Sequence, residues 1–283
     1  IEVDVDAVCD GTEVLIPGLL EHVERAGVHS GDSIGVFPPQ HVSLGDQDLV
    51  VATMQRICLA LGARGLVNAQ FIVRDDGVYL IEVNPRASRT VPFMSKVTGV
   101  PMVELAVRIS LGRSLAEMGW RGGLRPVPAF VSVKSPAFST AKLKGVDPSV
   151  GPFMQAAGEV IGIAVDPRVA MAKALTGASL IPPRAGDGEP PLALLSIADR
   201  DKGGLVELAR ALVRAGYRLA ATGGTRTSLE RAGFGELVPV AKLGADPVGD
   251  EIGILELIES GSVRLVVNTP TPRSGVVRDA ADI

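Results

Sequence analysis

The sequence predicts an α/β protein in two parts, an antiparallel sheet with helices followed by a doubly wound parallel sheet. Three observations predict it. Between Leu66 and Arg89, two runs rich in β-branched and aromatic residues flank Asp75-Asp76-Gly77, a hairpin signal with glycine at the left-handed turn position. From Leu192 onward, short apolar runs alternate with helical patterns across short connections, as in a parallel sheet with helices on both faces. Between the two, Thr176 to Pro191 reads T-G-A-S-L-I-P-P-R-A-G-D-G-E-P-P, a linker composition. The expected division is 1–178, a linker at 179–191, and 192–283.

In the first part, Ile1 to Cys9 and Thr12 to Leu19 read as strands around the tight-turn pair Asp10-Gly11. Ile1, Val3, Val5 and Ala7 alternate there with Glu2, Asp4 and Asp6. Val28-His29-Ser30-Gly31-Asp32-Ser33 is small and polar, suited to a loop that brings backbone close to a ligand. A lone histidine such as His22 or His29 reads as a structural residue before a ligand. Gln47 to Leu61 is an amphipathic helix closed by Gly62, with Leu49, Val50, Met54, Ile57, Cys58 and Leu61 on its apolar face. After the hairpin, helices are expected over Pro92–Val97, Met102–Ser110 and Leu115–Met118. Then come a strand over Pro126–Lys134, a loop over Phe138–Gly151, a strand over Glu159–Val165 and a helix over Pro167–Leu175.

If Asp75 to Gly77 form the loop of the hairpin, position 70 faces position 82 and equal parity shares a face. Val67, Ala69, Phe71, Val73, Tyr79, Ile81 and Val83 then pack against helices, while Gln70, Glu82 and Asn84 converge at one end of the other face. A carboxylate among oxygen donors on an apolar ribbon calls for a partner. Mg²⁺ accepts such a set and takes its remaining ligands from phosphates and water. Arg86 and Arg89, just past Pro85, suit anionic oxygens. A solvated polar face with exposed arginines is the alternative reading of the same pattern.

The second part is expected to run strand Leu192–Ile197, helix Gly204–Ala215, strand Arg218–Thr222, helix Ser228–Ala232, strand Glu236–Val240, helix Gly249–Glu259 and strand Val263–Val267. Ligands of such sheets bind at the carboxyl ends of strands. Thr222-Gly223-Gly224-Thr225 and Asn268-Thr269-Pro270-Thr271 stand there. The first precedes a capping box, Thr227-x-x-Glu230, and reads either as a phosphate cradle or as a small-residue turn capping a helix.

Composition narrows the function. Hydrophobic residues make up 46% of the 283 and aromatics only 4%, so the core is aliphatic. A net charge of -4 without a basic run argues against nucleic-acid or anionic-membrane partners. No apolar stretch reaches membrane-spanning length. Cys9 and Cys58 lack metal-site spacing, which suits a reducing, cytoplasmic compartment. The strand-like opening at Ile1 and the helix-like close at Asp279–Ile283 suggest an internal piece of a longer protein.

With E-V-D-V-D-A-V-C-D-G, G-V-H-S-G-D-S, N-A-Q-F, Y-L-I-E-V-N-P-R-A-S-R-T-V-P-F, G-V-D-P-S-V-G-P-F-M and A-T-G-G-T taken together, the chain resembles the carbamoyl phosphate synthetase large chain over nearly its whole length. The resemblance implies the back half of the second ATP-grasp unit, which phosphorylates carbamate, followed by a methylglyoxal-synthase-like allosteric domain. It implies ATP, Mg²⁺ or Mn²⁺, and K⁺ as cofactors, a glutamine amidotransferase small subunit as partner, an oligomer, and a place in pyrimidine and arginine biosynthesis. Gln70, Glu82 and Asn84 match metal-ligand positions, Gln70 and Glu82 also contacting the nucleotide. Arg86 and Arg89 match arginines near the transferred phosphoryl group. Glu2 matches a ribose contact, Gly27, Val28, His29 and Ser30 a backbone wall of the nucleotide site, and Glu2 with His22 a monovalent-cation site. Ser196, Lys202, Thr222, Thr225, Lys242 and Asn268 match an effector pocket for a nucleotide such as UMP or IMP. Glu24, Asp32 and Glu117 match holders of ornithine. Pro270 stands where the family often has a hydroxyl residue. The resemblance further implies that the isolated chain lacks the nucleotide-gripping front half and does not turn over ATP. Another ATP-grasp ligase, or a regulatory nucleotide-binding module, are the alternatives.

Overall fold

The computed structural model describes residues 1–24, 26–138, 151–180 and 189–269. Their described residues fall into two compact units, one within 1–180 and one within 189–269. The core of the linker, most of the Phe138–Gly151 loop, Pro270 and the segment through Ile283 lie outside the described residues.

The first unit opens with strand β1 (Glu2–Cys9), whose antiparallel partners lie on both sides. The single strand expected over Thr12–Leu19 is two, β2 (Val14–Ile16) and β3 (Leu19–His22), divided at Pro17-Gly18. Packing forces the glycine there, since a Cβ on Gly18 would sit 2.2 Å from a ring carbon of Phe37. Phe37 belongs to β4 (Gly35–Phe37), a strand too short for its periodicity to stand out in the sequence. Helix α1 (Leu44–Ala60) is capped by the Ser43 hydroxyl, which accepts from the Asp46 N–H at 3.1 Å. Its buried face is Val50, Met54 and Cys58, whereas Leu49 and Leu61, expected on that face, are exposed. Next come β5 (Gly65–Arg74), β6 (Gly77–Asn84), α2 (Thr90–Thr98), α3 (Met102–Ser110), a 3-10 turn at Ala116–Met118 and the short β7 (Gly123–Leu124). Strands β8 (Val131–Ala137) and β9 (Gly158–Ala164) and helix α4 (Pro167–Gly177) complete the unit. Gly162 lets α4 lie directly on β9, because a Cβ there would meet the Ala170 carbonyl oxygen at 2.1 Å.

The sheet runs β6-β5-β1-β3-β4-β8-β9, with β2 and β7 alongside. Odd-numbered residues of β1 and β5 pack under α1 in one aliphatic core of Val3, Val5, Ala7, Val67, Ala69, Phe71 and their neighbours. The opposite face is divided. Helices α2 and α3 cover Val8, Leu15, Leu20 and Phe37 at one end of it. The remainder carries Glu2, Asp4, Asp6 and Asn68, every one of them buried.

The hairpin pairs Gln70 with Glu82 and Asn68 with Asn84, as expected. Its turn is tighter than expected, with Arg74 opposite Gly77, and a bulge at Ile81 absorbs the extra residue. Beyond that bulge the parity reverses. Val78 joins Val83 against the α1 core, while Tyr79 and Ile81, expected inside, are exposed.

The second unit is a parallel sheet ordered β13-β12-β11-β10-β14. Its elements are β10 (Leu192–Ser196), α5 (Leu205–Arg214), β11 (Arg218–Thr222), α6 (Gly223–Arg231), β12 (Leu237–Ala241), β13 (Ile252–Gly253), α7 (Ile254–Glu259) and β14 (Val263–Asn268). Alternate residues of β10 and β11 feed two cores, Ala193, Leu195, Leu219 and Ala221 with α5 and α6, and Leu194 and Ala220 with α7. Helices therefore cover both faces. Helix α6 begins five residues earlier than expected, so Gly223, Gly224 and Thr225 are its first turn. Thr227 lies inside it, its hydroxyl donating to the Gly223 carbonyl. No helix among the described residues is long and apolar enough to cross a membrane.

Candidate functional site

On the uncovered part of the first sheet, alternation puts Glu2, Asp4 and Asp6 on one face of β1, and antiparallel pairing sets Gln70 opposite Asp4 and Asn68 opposite Asp6. The Asn68 amide donates to Asp4 at 2.6 Å and to Asp6 at 3.0 Å, bracing two buried carboxylates that lie on one strand. Asp6 also accepts the Ser88 hydroxyl at 2.6 Å and the Thr90 hydroxyl. Desolvation, reinforced by the Asp4 charge, pushes Asp6 up to about 7, and desolvation raises Asp4 as well. His22 lies over the same row, 3.4 Å from Glu2 and 3.9 Å from Asp4, with both ring nitrogens buried and without a hydrogen-bond partner among the described residues.

A cleft of about 550 Å³ opens above this floor. Glu2, Gln70, Glu82, Asn84, Arg86 and Arg89 line it, Gly27 to Ser30 form one wall, and Asn68, Ile81, Ser88, Pro152 and Met154 complete it. The bulge in β6 is what brings Ile81 to the cleft beside Glu82. The Asn84 amide donates to Glu82 at 2.8 Å, which ties the two side chains together at the end of the hairpin. One carboxylate with two amide oxygens suits a hard divalent cation that takes its other ligands from phosphates and water.

The turn between β6 and α2 carries both arginines, and it is held to β1 through Ser88, Thr90 and Asp6. Arg89 donates to the Ala156 carbonyl at 3.0 Å and to the Met154 sulfur at 2.7 Å, and lies 3.7 Å from Glu159. Arg86 donates to the neighbouring Ala87 carbonyl and is exposed. The wall has its own anchors. The Lys134 ammonium, wholly buried, donates to the Ser30 carbonyl at 2.7 Å, and the His29 N–H donates to the Gly151 carbonyl.

Sequence reasoning thus brought together ten residues that the structure places on one cleft, and it missed Asp4, Asp6, Asn68, Ser88, Lys134 and Glu159. The signal for the floor was present in E-V-D-V-D set antiparallel to N-A-Q, which puts an amide across from each aspartate.

The three acids matched to ornithine do not share a neighbourhood of hydrogen bonds. Asp32 is buried and accepts the N–H groups of Gln155 and Ala156 at 2.8 and 2.7 Å. Glu24 accepts the Ile34 N–H at 2.7 Å. Glu117 is exposed on the 3-10 turn and pairs with Arg113.

In the second unit β14 lies beside β10 while β11 to β13 extend the other way, so the sheet reverses its order between β10 and β14. Ser196 and Asn268 face each other across that point, and Thr222 ends β11 with its hydroxyl 3.4 Å from that of Ser196. Lys202 donates to the Gly224 carbonyl at 2.7 Å and pairs with Asp199 at 2.7 Å. Lys242 follows β12, exposed. The Thr225 hydroxyl is buried and accepts the Ile197 N–H at 2.9 Å, so it knits α6 to the end of β10.

Residues 1–118 match the family model of the carbamoyl-phosphate synthase L chain ATP binding domain, and residues 204–283 match the MGS-like domain model. The carbamoyl phosphate synthase large chain of Thermomicrobium roseum is 50% identical over 279 residues, covering 99% of this chain and 25% of that one. The chain thus spans a quarter of the length of this curated relative. Among solved structures, the biotin carboxylase domain of a single-chain bacterial carboxylase matches 62% of this chain and 46% of its own, at 17% identity and a TM-score of 0.49. A single-chain, multi-domain long-chain acyl-CoA carboxylase matches 62% of this chain and 22% of its own, at 20% identity and a TM-score of 0.48.

Proposed function

Since the chain belongs to the carbamoyl phosphate synthase large-chain family and carries ATP-binding and MGS-like domains, we propose that in the complete protein its first unit phosphorylates carbamate to carbamoyl phosphate at the expense of ATP. The observation that carries this reading is the single cleft that gathers a Gln-Glu-Asn oxygen set, two arginines and a backbone wall above a floor of buried acids. Gln70, Glu82 and Asn84 would hold Mg²⁺ or Mn²⁺, which supplies charge neutralisation for the nucleotide phosphates. Gly27 to Ser30 present backbone to the nucleotide, and Glu2 accepts from its ribose. Arg89 and Arg86 stabilise the negative charge spread over the transferring phosphoryl oxygens. Arg89 is held on its other side by Ala156 and Glu159, so its guanidinium meets the phosphoryl group from a fixed position. The unpartnered ring nitrogens of His22 and the adjacent Glu2 support a nearby K⁺ site.

For the second unit we propose an effector pocket at the reversal of strand order, where Ser196, Thr222 and Asn268 stand at strand ends with Lys202, Lys242 and the first turn of α6 about them. A pyrimidine or purine monophosphate such as UMP or IMP suits that set. Glu24, Asp32 and Glu117 are the proposed holders of ornithine. The complete enzyme is proposed to be a cytoplasmic, oligomeric, glutamine-hydrolysing ligase that takes ammonia from an amidotransferase subunit and serves pyrimidine and arginine synthesis. The 283 residues alone are proposed not to turn over, which fits a relative four times as long. The test is carbamoyl phosphate formation by the complete protein from ATP, bicarbonate and glutamine. Formation that requires all three supports the reading, and ATP-dependent ligation of another substrate in its place overturns it.

A further inference from the structure

Beneath the rim of the cleft, a lysine and a glutamate that do not line it form a pair linking the Ser30 wall to Arg89. Lys134 is the largest charged side chain to be wholly buried, and burying an ammonium without partners is strongly unfavourable. It sits on β8 opposite Gly35 and Ile161. Its nitrogen reaches only one hydrogen-bond acceptor among the described residues, the Ser30 carbonyl, and lies 4.0 Å from Glu159. The same Glu159 oxygen lies 3.7 Å from Arg89, is itself buried, and has no hydrogen-bond partner among the described residues. Two cations therefore share one carboxylate oxygen, one cation ending on the nucleotide wall and the other on the phosphoryl side of the cleft. Asp4 and Glu24 are the other acids that face Lys134, and Arg89 is the other cation. Desolvation lowers the Lys134 pKa and raises that of Glu159, and the attraction between the two opposes both shifts.

The geometry points to Lys134 and Glu159 as a pair of positioning residues for the proposed phosphoryl transfer: Lys134 sets the Ser30 wall that meets the nucleotide, and Glu159 sets Arg89. The inference rests on the carbamate-kinase reading of this cleft, but its two halves predict different defects. A lysine that acts through the Ser30 carbonyl changes nucleotide binding. A glutamate that acts through Arg89 changes turnover, because that arginine matters most when charge spreads in the transition state.

The experiment uses the complete protein, with MgATP affinity from calorimetry and carbamoyl phosphate formation measured side by side. Lys134→Met keeps the stem and removes the donor, and it is expected to weaken MgATP binding about tenfold, while Lys134→Arg recovers most of that loss. Glu159→Gln is expected to lower kcat about tenfold with MgATP affinity within about twofold of the parent. The double variant Lys134→Met, Glu159→Gln removes both members of the pair, so neither is left facing the other's vacancy. It is expected to melt closer to the parent than either single variant while keeping both defects, which separates positioning from folding. Parental affinity in Lys134→Met together with parental kcat in Glu159→Gln overturns the inference and leaves the reading of the cleft standing. If the complete protein binds MgATP but forms no carbamoyl phosphate, the reading of the cleft fails. The affinity loss in Lys134→Met, present or absent, then decides the role of the lysine by itself.

Discussion

The candidate site of the first unit lies on the face of an antiparallel sheet, and the pocket proposed for the second lies at the ends of parallel strands. On a face, every second residue of each strand contributes a side chain, so charged groups accumulate side by side and must be desolvated together. Glu2, Asp4 and Asp6 are the result, buried in a row and braced by Asn68. At strand ends, each strand contributes one residue and the rest comes from backbone. Ser196, Thr222 and Asn268 are uncharged, and the lysines of that region stand off the strands, Lys202 in the 3-10 turn Asp199–Gly204 and Lys242 just past β12. A face concentrates electrostatic strain under the ligand, whereas strand ends leave it in the solvent.

The largest expected effect breaks or supports the first half of that comparison. Glu82→Ala in the complete protein removes the only carboxylate of the Gln-Glu-Asn set and should lower carbamoyl phosphate formation by at least about a hundredfold. Because Glu82 is exposed, the melting temperature without nucleotide should stay within a degree or two of the parent, on the order of 0.5 kcal/mol or less. A variant that turns over normally, or one that unfolds, removes Glu82 from the metal site.

Two aspartates on β1 and its end sharpen the contrast within the face itself. Asp10 is desolvated, but the N–H groups of Glu13, Leu115 and Thr12 outweigh that and hold it down to about 2. Its folded pKa lies below its unfolded one, so its contribution is present above about pH 4 and is lost as pH falls toward 2. Asp10→Asn should cost on the order of 2 kcal/mol at pH 7 and progressively less in acid. Asp6 has the opposite sign. Held at about 7 when folded, it carries a proton that the unfolded chain gives up, so the parent loses stability as pH rises from about 4 through 7. Asp6→Asn should therefore compare most favourably with the parent at the upper end of that window. Thermal melts at three pH values check both, and parallel slopes for the two variants would contradict the assigned environments.

Antiparallel alternation made much of the first site legible. Gln70 opposite Glu82 follows from the turn and the parity of the hairpin, and so does the end of the ribbon at which Asn84 sits. The bulge at Ile81 was not legible, because one extra residue in a turn and one in a strand leave the same sequence length between Gln70 and Glu82. Nor was the burial of Asp4 and Asp6, since acids alternating with valines describe a solvated strand equally well. Lys134 and Glu159 were hidden for a different reason. Their roles depend on Ser30 and Arg89, which pairing of distant strands brings near, and no local pattern encodes that. In the second unit the strands were legible from composition, while the start of α6 was displaced because two glycines in a first turn look like a loop.

A smaller effect tests the strand-end site. Lys202 already holds Asp199 and the Gly224 carbonyl, so it must exchange partners to meet a phosphate, whereas Lys242 is exposed. Lys242→Ala should weaken binding of UMP or a related monophosphate by about tenfold, more than Lys202→Ala, in a titration of the complete protein. Equal losses would mean that Lys202 is not restrained by its partners in solution. The smallest effect expected is that of Glu117→Ala on stability, a melting temperature indistinguishable from the parent's, because its pair with Arg113 is exposed. Ornithine activation that survives this change in a stable variant would detach Glu117 from the proposed cation site.

The carboxylate of Asp32 has a consequence in time. It closes on the N–H groups of Gln155 and Ala156, 123 and 124 residues further along the chain. A ribosome adding roughly 5 to 20 residues each second delivers those groups about 6 to 25 s after Asp32 itself. For about the first three quarters of that interval β4 also waits for β8, its partner on the side away from β3. The nucleotide wall is thus among the last parts of the first unit to be completed during synthesis, and a nascent chain stalled before residue 155 should expose it to proteolysis between Val28 and Phe37.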